Sequence, residues 1–305
     1  MPEGDTVWRT ARRLDQALAG QELTACDLRW PSLAITDLTG AATTEVVSRG
    51  KHILQRLDSG LTLHSHLRMD GQWRIAETRT LSRHRLADPA IRAVVGAAQW
   101  SAIGSRLGML DVVRTADEHT LVGHLGPDVL GPDWQLETAV QNILRAGSGA
   151  LGAAVLDQRN LAGIGTFYAS EALFLERINP WSRVDDLSPG VVEGFVRQAH
   201  RLLDANRQNA VQTTTGMNRR GQTAYVHARS GLPCRRCASG VRVAMIGAAP
   251  QERTMFYCPS CQGGLAPTDD ARIQRPMGSA RGPAGCHAAE AETSRSALTM
   301  ELSGR

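Results

Sequence analysis

The sequence predicts an α+β protein with a strand-rich N-terminal domain, a helical domain and a small metal-binding module. Three observations predict this division. Residues 22–115 contain short alternating apolar runs separated by Gly and Asp, which are typical of a β-sandwich or barrel. From residue 136 the apolar residues recur at helical spacing. Two C-x2-C pairs then follow between residues 234 and 261.

The first element is an amphipathic helix over residues 5–19, with apolar side chains on one face and Gly20 at its C-terminal end. Behind it, the stretch SRGKHILQRLDSGLTLHSH predicts a hairpin whose turn is Asp58-Ser59-Gly60. Lys51 is predicted to lie on the first strand of that hairpin. The helix would hold the first residues of the chain in place.

After a Gly/Pro-rich connector, HLGPDVLGPDW, the pattern becomes helical. Ser188 and Pro189 are suited to the start of the last of these helices. The predicted helices span residues 136–146, 149–158, 166–177 and 188–207. We therefore predict a first domain at 1–120, a hinge at 121–135, a helical domain at 136–225, a zinc module at 226–265 and a disordered tail at 266–305.

The start of the chain and the length of its apolar runs disfavour a secreted or membrane-spanning protein. The start MPEGDTVWRT lacks the features of a signal peptide, and no apolar run reaches the roughly 18 residues of a membrane helix. We therefore expect a cytoplasmic protein without a membrane partner.

The distribution of charge indicates the kind of partner. The net charge is only +4, but residues 197–253 hold ten arginines against two acids. Such a local excess favours a polyanion as partner, although a solvated basic face would have the same composition.

The cysteines give the most specific single motif. Two C-x2-C pairs separated by twenty residues are typical of a structural zinc site with four thiolate ligands. Redox chemistry or disulfides are the alternative, which a cytoplasmic chain disfavours. Cys26 and Cys286 fall outside the pattern and are interpreted as free thiols. The predicted zinc ligands are Cys234, Cys237, Cys258 and Cys261.

The start MPEGD raises the question of whether the terminus is reactive. Removal of Met1 would leave Pro2 as a secondary amine with a pKa near about 8, able to attack an electrophilic carbon. Glu3 could act as a general acid or base beside it. Lys51 is the one lysine among 34 cationic residues, and it could bind a phosphate or protonate a leaving group. Taken alone, all three could equally be surface residues.

A glycine turn between helices, LDQRNLAGIGTFYASEAL, is a candidate DNA-backbone contact. Gly163 and Gly165 would let a phosphate approach, and the following helix would direct its first amides at that anion. Glycine turns between helices are common, so the motif gains weight only beside a basic zinc module.

Taken together, these stretches resemble the formamidopyrimidine-DNA glycosylase/endonuclease VIII family. The matching motifs run in family order from residue 2 to about 262. They are PEG, RGKHIL, LDQRNLAGIG with ASEALF, R-x-G-x-P-C-x-x-C from Arg229 to Cys237, and R-x-x-F-Y-C-P-x-C from Arg253 to Cys261.

The resemblance implies an N-terminal β-sandwich with flanking helices, a helix–two-turn–helix domain and a β-hairpin zinc finger, with DNA in the cleft between the domains. It implies that Pro2 is the nucleophile, that Glu3 shuttles protons and that Lys51 contacts DNA and takes part in catalysis. Side chains that replace the flipped nucleotide are expected in the loop HLRMDGQW (66–73), where Arg68 and Met69 are the candidates. The other implied DNA contacts are Gly163, Gly165, Thr166, Arg229 and Arg253.

The implied activity is that of a bifunctional DNA glycosylase/AP lyase of base-excision repair, acting as a monomer on double-stranded DNA at the nucleoid. The stretches LGPDVL and LTLHSHLRMDGQWRI favour the bacterial endonuclease VIII branch and so oxidised pyrimidines. IGSRLGMLDVV stands where the other branch has its Asp-Pro-Arg-Arg-Phe-Gly stretch, and Thr166 replaces the family's asparagine. The alternatives are a preference for oxidised purines or abasic sites, and a non-catalytic zinc-dependent binder of damaged DNA.

Overall fold

A computed structural model describes residues 2–276 of the chain. Its N-terminal part is a sandwich of two four-stranded antiparallel sheets, with strand orders β1-β6-β7-β5 and β2-β3-β4-β8. A third, two-stranded sheet lies near the C-terminal end. The strands are β1 (Ala25–Leu28), β2 (Thr43–Arg49), β3 (His52–Leu57), β4 (Leu61–His66), β5 (Gln72–Glu77), β6 (Ile91–Gly96), β7 (Trp100–Ser105), β8 (Met109–Arg114), β9 (Arg242–Ile246) and β10 (Arg253–Tyr257).

Helix α1 (Gly4–Leu18) closes one side of the sandwich and confirms the predicted N-terminal helix. Its apolar residues repeat at three- and four-residue intervals, so one face is buried against the strands. The same helix also reaches the C-terminal half, where Asp5 accepts a hydrogen bond of 2.8 Å from Gln212. Helix α1 therefore joins both halves of the molecule.

The position predicted for Lys51 was wrong. The predicted hairpin is present as β3 and β4, but β3 begins at His52, because Gly50 adopts a left-handed φ of 58° and reverses the chain after β2. Arg49 pairs with His52, which leaves Gly50 and Lys51 as a two-residue turn between β2 and β3. Lys51 thus lies at a hairpin tip, where its side chain is directed by the turn.

The C-terminal half is helical and its core is separate from that of the sandwich. The helix over Thr166–Leu175, α6, is buried on nearly all sides and forms the centre of this helical half. Two short helices, α2 (Arg83–Leu86) and α3 (His119–Val122), belong to the first half. The helices of the second half are α4 (Leu136–Leu144), α5 (Leu151–Leu156), α6 (Thr166–Leu175) and α7 (Pro189–Asn206).

The connector between the halves is anchored to both. Asp128 is buried, and its carboxylate accepts hydrogen bonds from the amide of Gly50 at 2.8 Å and of Leu130 at 3.1 Å. Val129 donates to the carbonyl of Ala162 at 3.1 Å. The connector therefore fixes the Lys51 turn next to the helical half.

The strands β9 and β10 form the predicted hairpin between the two cysteine pairs. The expectation of disorder from residue 266 was wrong for the residues that follow directly. Asp269 accepts hydrogen bonds from Arg242 and Tyr257, and Gln274 pairs with both backbone groups of Val243. These side chains satisfy polar groups at the edge of β9. Residues 277–305, including Cys286, and Met1 lie outside the described residues.

Within residues 2–276, none of the helices combines the length and apolar character needed to cross a bilayer. The architecture confirms the predicted fold class of a β-sandwich with helices followed by a helical domain and a four-cysteine hairpin.

Candidate active site and DNA interface

Three distant segments meet at the carboxylate of Glu3. Glu3 precedes α1 and is fully buried, and its carboxylate lies at the N-terminus of α6. It accepts hydrogen bonds from the amides of Gly165 at 2.8 Å, Phe167 at 2.7 Å and Tyr168 at 3.3 Å. The anion that occupies the first amides of this helix is therefore a side chain of the same protein.

Glycine is needed at position 165 for a steric reason. A Cβ atom there would lie 2.7 Å from the Glu3 carboxylate, closer than atoms can approach without displacement. Gly163 meets a different need, because its φ of 104° is a conformation that side chains disfavour. The two glycines thus shape the turn around Glu3.

Burial raises the pKa of Glu3, and this effect exceeds the opposing influence of Lys51 and of the amides of Phe167 and Gly165. A carboxyl whose pKa is raised keeps its proton to a higher pH than an ordinary glutamate, which favours proton transfer. Glu3 therefore has the environment of a general acid or base.

Lys51 lies on the other side of the same turn. Its ammonium donates to the carbonyl of Ile164 at 2.5 Å. Burial lowers the pKa of Lys51, the carboxylate of Glu3 raises it, and the positive charge of Arg253 lowers it further. Both the terminal segment and the β10 strand therefore influence this amine.

Gln158 completes the turn and was missed by sequence reasoning. Its side-chain amide donates to Ile164 O at 2.9 Å, while its oxygen accepts from Gly163 N at 3.0 Å. Its position within the quoted motif LDQRNLAGIG was the available signal. Asp128 was missed as well, since an acid in a Gly/Pro-rich connector resembles an ordinary loop residue.

Pro2 and Thr166 lie beside Glu3 in different ways. Pro2 directly precedes Glu3 and is half-buried. Thr166 is the first residue of α6 and only 4% exposed. Its hydroxyl has no hydrogen-bond partner among the described residues and is accessible to solvent.

Residues 67–71, between β4 and β5, form a loop that we call the plug loop. It carries Arg68 and Met69, the candidates for side chains that replace the flipped nucleotide. Met69 is 63% exposed, although it is a large apolar side chain. Arg68 is exposed too, and its φ of 52° is unusual for a residue other than glycine. Its side chain lies over Gly108, where a Cβ atom would come within 2.1 Å of it. The loop therefore presents two long side chains in a fixed backbone conformation.

A histidine cluster supports this loop and was also missed. His64 is completely buried and lies 3.2 Å from the Asp111 carboxylate through Nδ1. With the Asp111 carboxylate accepting from Nδ1–H of His64, Nε2 of His64 accepts from Nδ1 of His52 at 2.8 Å. The ring of His66 packs edge-on against His52 at 4.9 Å, and its Nδ1 accepts from the amide of Arg68.

Burial is the main reason why the pKa of each of these histidines lies below its ordinary value. Together with neighbouring charges that include Lys51, it lowers the pKa of His52 to about 3 and that of His66 to about 4. Burial lowers the pKa of His64 too, although Asp111 opposes the change. The alternation of His64 and His66 on one strand was the only sequence signal for the cluster.

The two predicted arginine contacts differ in their surroundings. Arg253, at the start of β10, is exposed, and within residues 2–276 only the carbonyls of Gln251 and Glu252 accept hydrogen bonds from its guanidinium. The guanidinium of Arg229 donates instead to the carbonyls of Tyr225, Pro233 and Gly221. Arg229 therefore holds the approach to the cysteine module together, and its contact with DNA stays a prediction.

The four predicted cysteines converge, with all four sulfur atoms within 4.8 Å of one another. Cys234 and Cys261 are 3.9 Å apart, and Cys237 and Cys258 are 3.5 Å apart. A tetrahedral zinc ion with Zn–S bonds of about 2.3 Å separates its sulfur ligands by about 3.8 Å. The cluster therefore fits a metal of this type. Cys26 lies apart on β1 and is partly buried.

Comparison with known proteins agrees with this geometry. Residues 1–98 match the formamidopyrimidine-DNA glycosylase N-terminal domain, and residues 125–218 match the H2TH domain of the same enzyme. The chain is 48% identical over 274 residues to a probable endonuclease 8 2 of Streptomyces coelicolor, covering 89% of this chain and 98% of the relative. It is 42% identical over 262 residues to the DNA-(apurinic or apyrimidinic site) lyase Nei2 of Mycolicibacterium smegmatis, covering 86% and 99%.

Among solved structures, the formamidopyrimidine-DNA glycosylase of Lactococcus lactis bound to DNA with an AP site has the same fold. The TM-score is 0.71 at 21% identity, over 86% of this chain and 99% of that one. The β-sandwich, the H2TH domain and the cysteine hairpin define the class of two-domain DNA glycosylases. Within that class, the chain belongs to the formamidopyrimidine-DNA glycosylase/endonuclease VIII family, as its motifs predicted.

Proposed function

We propose that the protein is a bifunctional DNA glycosylase/AP lyase of base-excision repair that removes oxidised pyrimidines through a Schiff base on Pro2. The observation that carries this proposal is the arrangement of Glu3, Lys51 and the turn at residues 163–168, which we call the Glu3 junction. A buried carboxylate held by three amides stands directly behind the terminal residue and beside a desolvated lysine. The lyase and endonuclease 8 names of its relatives support the same conclusion.

Pro2 supplies the nucleophile in this proposal. After removal of Met1, its secondary amine attacks C1′ of the damaged nucleotide, and the base leaves as the C1′–N bond breaks. The C1′–O4′ bond of the sugar ring then breaks to give an iminium, which makes the 2′ proton acidic, so β-elimination and then δ-elimination break the C3′–O and C5′–O bonds and release both phosphates. The strand is thereby cut on both sides of the sugar.

Glu3 and Lys51 manage charge and protons. Protonated Glu3 would donate to the sugar ring oxygen as the ring opens, and its carboxylate would later accept a proton. The ammonium of Lys51, already turned toward Ile164, would bind a phosphate next to the lesion. Arg253 is near enough to Lys51 to affect its pKa and would bind a second phosphate.

The cysteine cluster would hold one zinc ion in this proposal. Four thiolates leave no open position on the metal, so zinc would fix the β9–β10 hairpin and take no part in chemistry. The substrate would be double-stranded DNA with an oxidised pyrimidine, bound by a monomer in the cytoplasm.

Borohydride trapping followed by peptide mapping tests the mechanism. The enzyme is incubated with DNA carrying thymine glycol or an abasic site, and sodium borohydride reduces any imine. We expect a covalent adduct that mass spectrometry assigns to the peptide beginning with Pro2. Lys51→Ala removes the competing amine and should leave the adduct in place.

An adduct on Lys51 would rule out Pro2 as the nucleophile, as would full activity in a preparation that retains Met1. Failure of the wild type to form any adduct would favour the non-catalytic DNA-binding alternative. Stronger cleavage of 8-oxoguanine than of thymine glycol at one salt concentration would instead contradict the pyrimidine preference.

A further inference from the structure

A second carboxyl group is buried next to the Glu3 junction, and the proposed chemistry does not use it. Asp5 lies in the first turn of α1, two residues after Glu3, and is completely buried. Its Oδ1 accepts a hydrogen bond of 2.8 Å from Nε2 of Gln212. Its Oδ2 is buried too, but has no hydrogen-bond partner within residues 2–276. Burial of an unpaired carboxyl oxygen is costly, so the surroundings of Oδ2 indicate what Asp5 does.

The phenol of Tyr168 is the polar group that faces this oxygen. Tyr168 is completely buried in the first turn of α6, and within the described residues its hydroxyl has no hydrogen-bond partner of ordinary geometry. Burial raises the pKa of Asp5, and the amide of Gln212 and the phenol of Tyr168 oppose this rise. Burial and then the Asp5 carboxylate raise the pKa of Tyr168. The two groups are therefore near neighbours, and one shared proton would satisfy both.

Asp5 also belongs to the contact between α1 and the chain that follows α7. Arg9, one turn further along α1, donates to the carbonyl of Asn209, while Asp5 binds Gln212. Arg9 is only half-buried and its hydrogen bond reaches that segment alone. Asp5 differs, because it also places a carboxyl oxygen beside the phenol of Tyr168. The two residues therefore allow a matched comparison.

We propose that Asp5 is a positioning residue of the Glu3 junction: it holds the phenol of Tyr168 and the amide of Gln212, and thereby fixes the first turn of α6 around the Glu3 carboxylate. This inference rests on the proposed function, in which Glu3 transfers a proton. Tyr168 is held at both ends, because its backbone amide donates to Glu3 at 3.3 Å and its phenol meets Asp5. A shift of about 1 Å at a catalytic group can cost about 10²-fold in rate, so a fixed α6 matters for Glu3.

Two substitutions separate the charge of Asp5 from its contacts. Asp5→Asn keeps an acceptor for Gln212 and a polar group for the phenol, so single-turnover excision of thymine glycol should stay near the wild-type rate. Asp5→Ala removes both contacts and should lower that rate by about 10- to 10²-fold. Its affinity for duplex DNA with a tetrahydrofuran abasic analogue should change little, because no residue of the proposed DNA interface is altered.

A double-mutant cycle tests whether Asp5 acts through the phenol. Tyr168→Phe removes only the hydroxyl and keeps the backbone amide that donates to Glu3. It should slow excision in the same direction as Asp5→Ala. The variant with both substitutions should lose no more than Asp5→Ala alone, because residues that act as one unit are not additive.

The pH profile gives a measurement that a purely structural role would not change. The charged and titratable groups around Asp5 are Glu3, Arg9 and the phenol of Tyr168, and Lys51 acts on Glu3 as well. Burial raises the pKa of Glu3, and the Asp5 carboxylate adds to this rise. Asp5→Asn removes that charge. The basic limb of excision, where Glu3 loses its proton, should therefore move to lower pH.

Amide hydrogen exchange measures the positioning without any catalysis. The three amides of α6 and its preceding turn that donate to Glu3 should exchange about tenfold faster in Asp5→Ala than in the wild type. Arg9→Gln is the matched control, because it breaks the bond to Asn209 but leaves the Asp5 carboxyl in place. It should keep the wild-type exchange of these amides. Equal melting temperatures would show that the variants are folded.

Wild-type exchange of these amides in Asp5→Ala would overturn the proposal, as would an equal acceleration in Arg9→Gln. Wild-type excision rates in Asp5→Ala with an unchanged pH profile in Asp5→Asn would overturn it as well. If Asp5→Ala does not fold, Tyr168→Phe provides the same exchange test. A wild type that forms no borohydride adduct contradicts the proposed function but leaves the exchange result valid. An adduct on Pro2 together with unchanged exchange contradicts only the role of Asp5.

Discussion

The Glu3 junction and the plug loop between β4 and β5 are built in opposite ways. At the junction, Glu3 and Lys51 are desolvated, and each is hydrogen-bonded to the turn that contains Gly163 and Gly165. In the loop, Arg68 and Met69 are exposed and their side chains have no hydrogen bond to any of residues 2–276. The junction is preorganised within the protein, whereas the proposed role of the loop requires contacts that DNA would supply.

The largest expected effect comes from the carboxylate itself. Glu3→Gln keeps the shape but removes the titrating group, so base excision should fall by about 10²–10⁴-fold. Single-turnover kinetics on thymine-glycol DNA measures this loss. Glu22→Gln, at an exposed position of the same domain, should keep wild-type rates. Equal rates for wild type and Glu3→Gln would remove Glu3 from the mechanism.

The second prediction changes the turn that holds the Glu3 carboxylate without changing Glu3 itself. Gly165→Ala places a methyl group 2.7 Å from the carboxylate, so Glu3 must shift. A displacement of about 1 Å at a catalytic group can cost about 10²-fold in rate. Gly190→Ala is the matched control, because a Cβ there meets no atom within 4 Å. If both variants cleave at the wild-type rate, the exact placement of Glu3 does not matter.

The third prediction concerns pH and the support of the loop. The pKa of His66 is about 4 in the folded chain, below the ordinary value near 6.5. Between these values the unfolded chain binds more protons, so this histidine's contribution is fully present above about pH 6.5 and is lost as the pH falls toward 4. At pH 5 the lowered pKa of His66 reduces the free energy of unfolding by about 2 kcal/mol.

His66→Asn keeps an acceptor for the Arg68 amide and removes the titration. The variant should therefore lose less unfolding free energy than the wild type between pH 7 and pH 5, measured by urea denaturation at each pH. His84→Asn, on exposed α2, is the control and should follow the wild type. Parallel curves for His66→Asn and the wild type would contradict the assigned depression of the pKa.

The smallest expected effect lies in the loop. Arg68→Gly suits the φ of 52° and should keep or raise the free energy of unfolding, by up to about 1 kcal/mol. It should also weaken binding to abasic-analogue DNA by about tenfold through the loss of a side chain that fills the duplex. Undamaged duplex, whose bases stay stacked, should lose less affinity. An equal loss on both duplexes would assign Arg68 to phosphate binding instead.

Much of the architecture could be predicted because it is encoded locally. The periodicity of residues 5–19 and 136–207 located the long helices, and the spacing of the cysteines located the hairpin. The placement of Lys51 failed because one glycine with a positive φ turns a continuous β-rich run into two strands. Local propensity carries no information about that reversal.

The site was predictable as a list of residues but not as an arrangement. The motifs named Glu3 and the glycine turn, yet the turn was interpreted as a phosphate contact. That the first amides of α6 bind Glu3 follows from contacts between residues more than 160 positions apart, which periodicity cannot reveal. Asp128 was missed for the same reason, since its partner Gly50 lies 78 positions away, and the histidines were missed because His52 and His64 pair across two strands. Gln158 is different, since its partner Gly163 lies in the same motif and only the arrangement of the turn was missing.

The bond between Glu3 and α6 also has a consequence for protein synthesis. Glu3 is synthesised well before its partners Gly165, Phe167 and Tyr168. A nascent or truncated chain that ends before them would carry Glu3 but not the amides that hold its carboxylate. Completion of the helical half is therefore the step that assembles the junction, and fragments of the N-terminal half alone should be harmless to DNA.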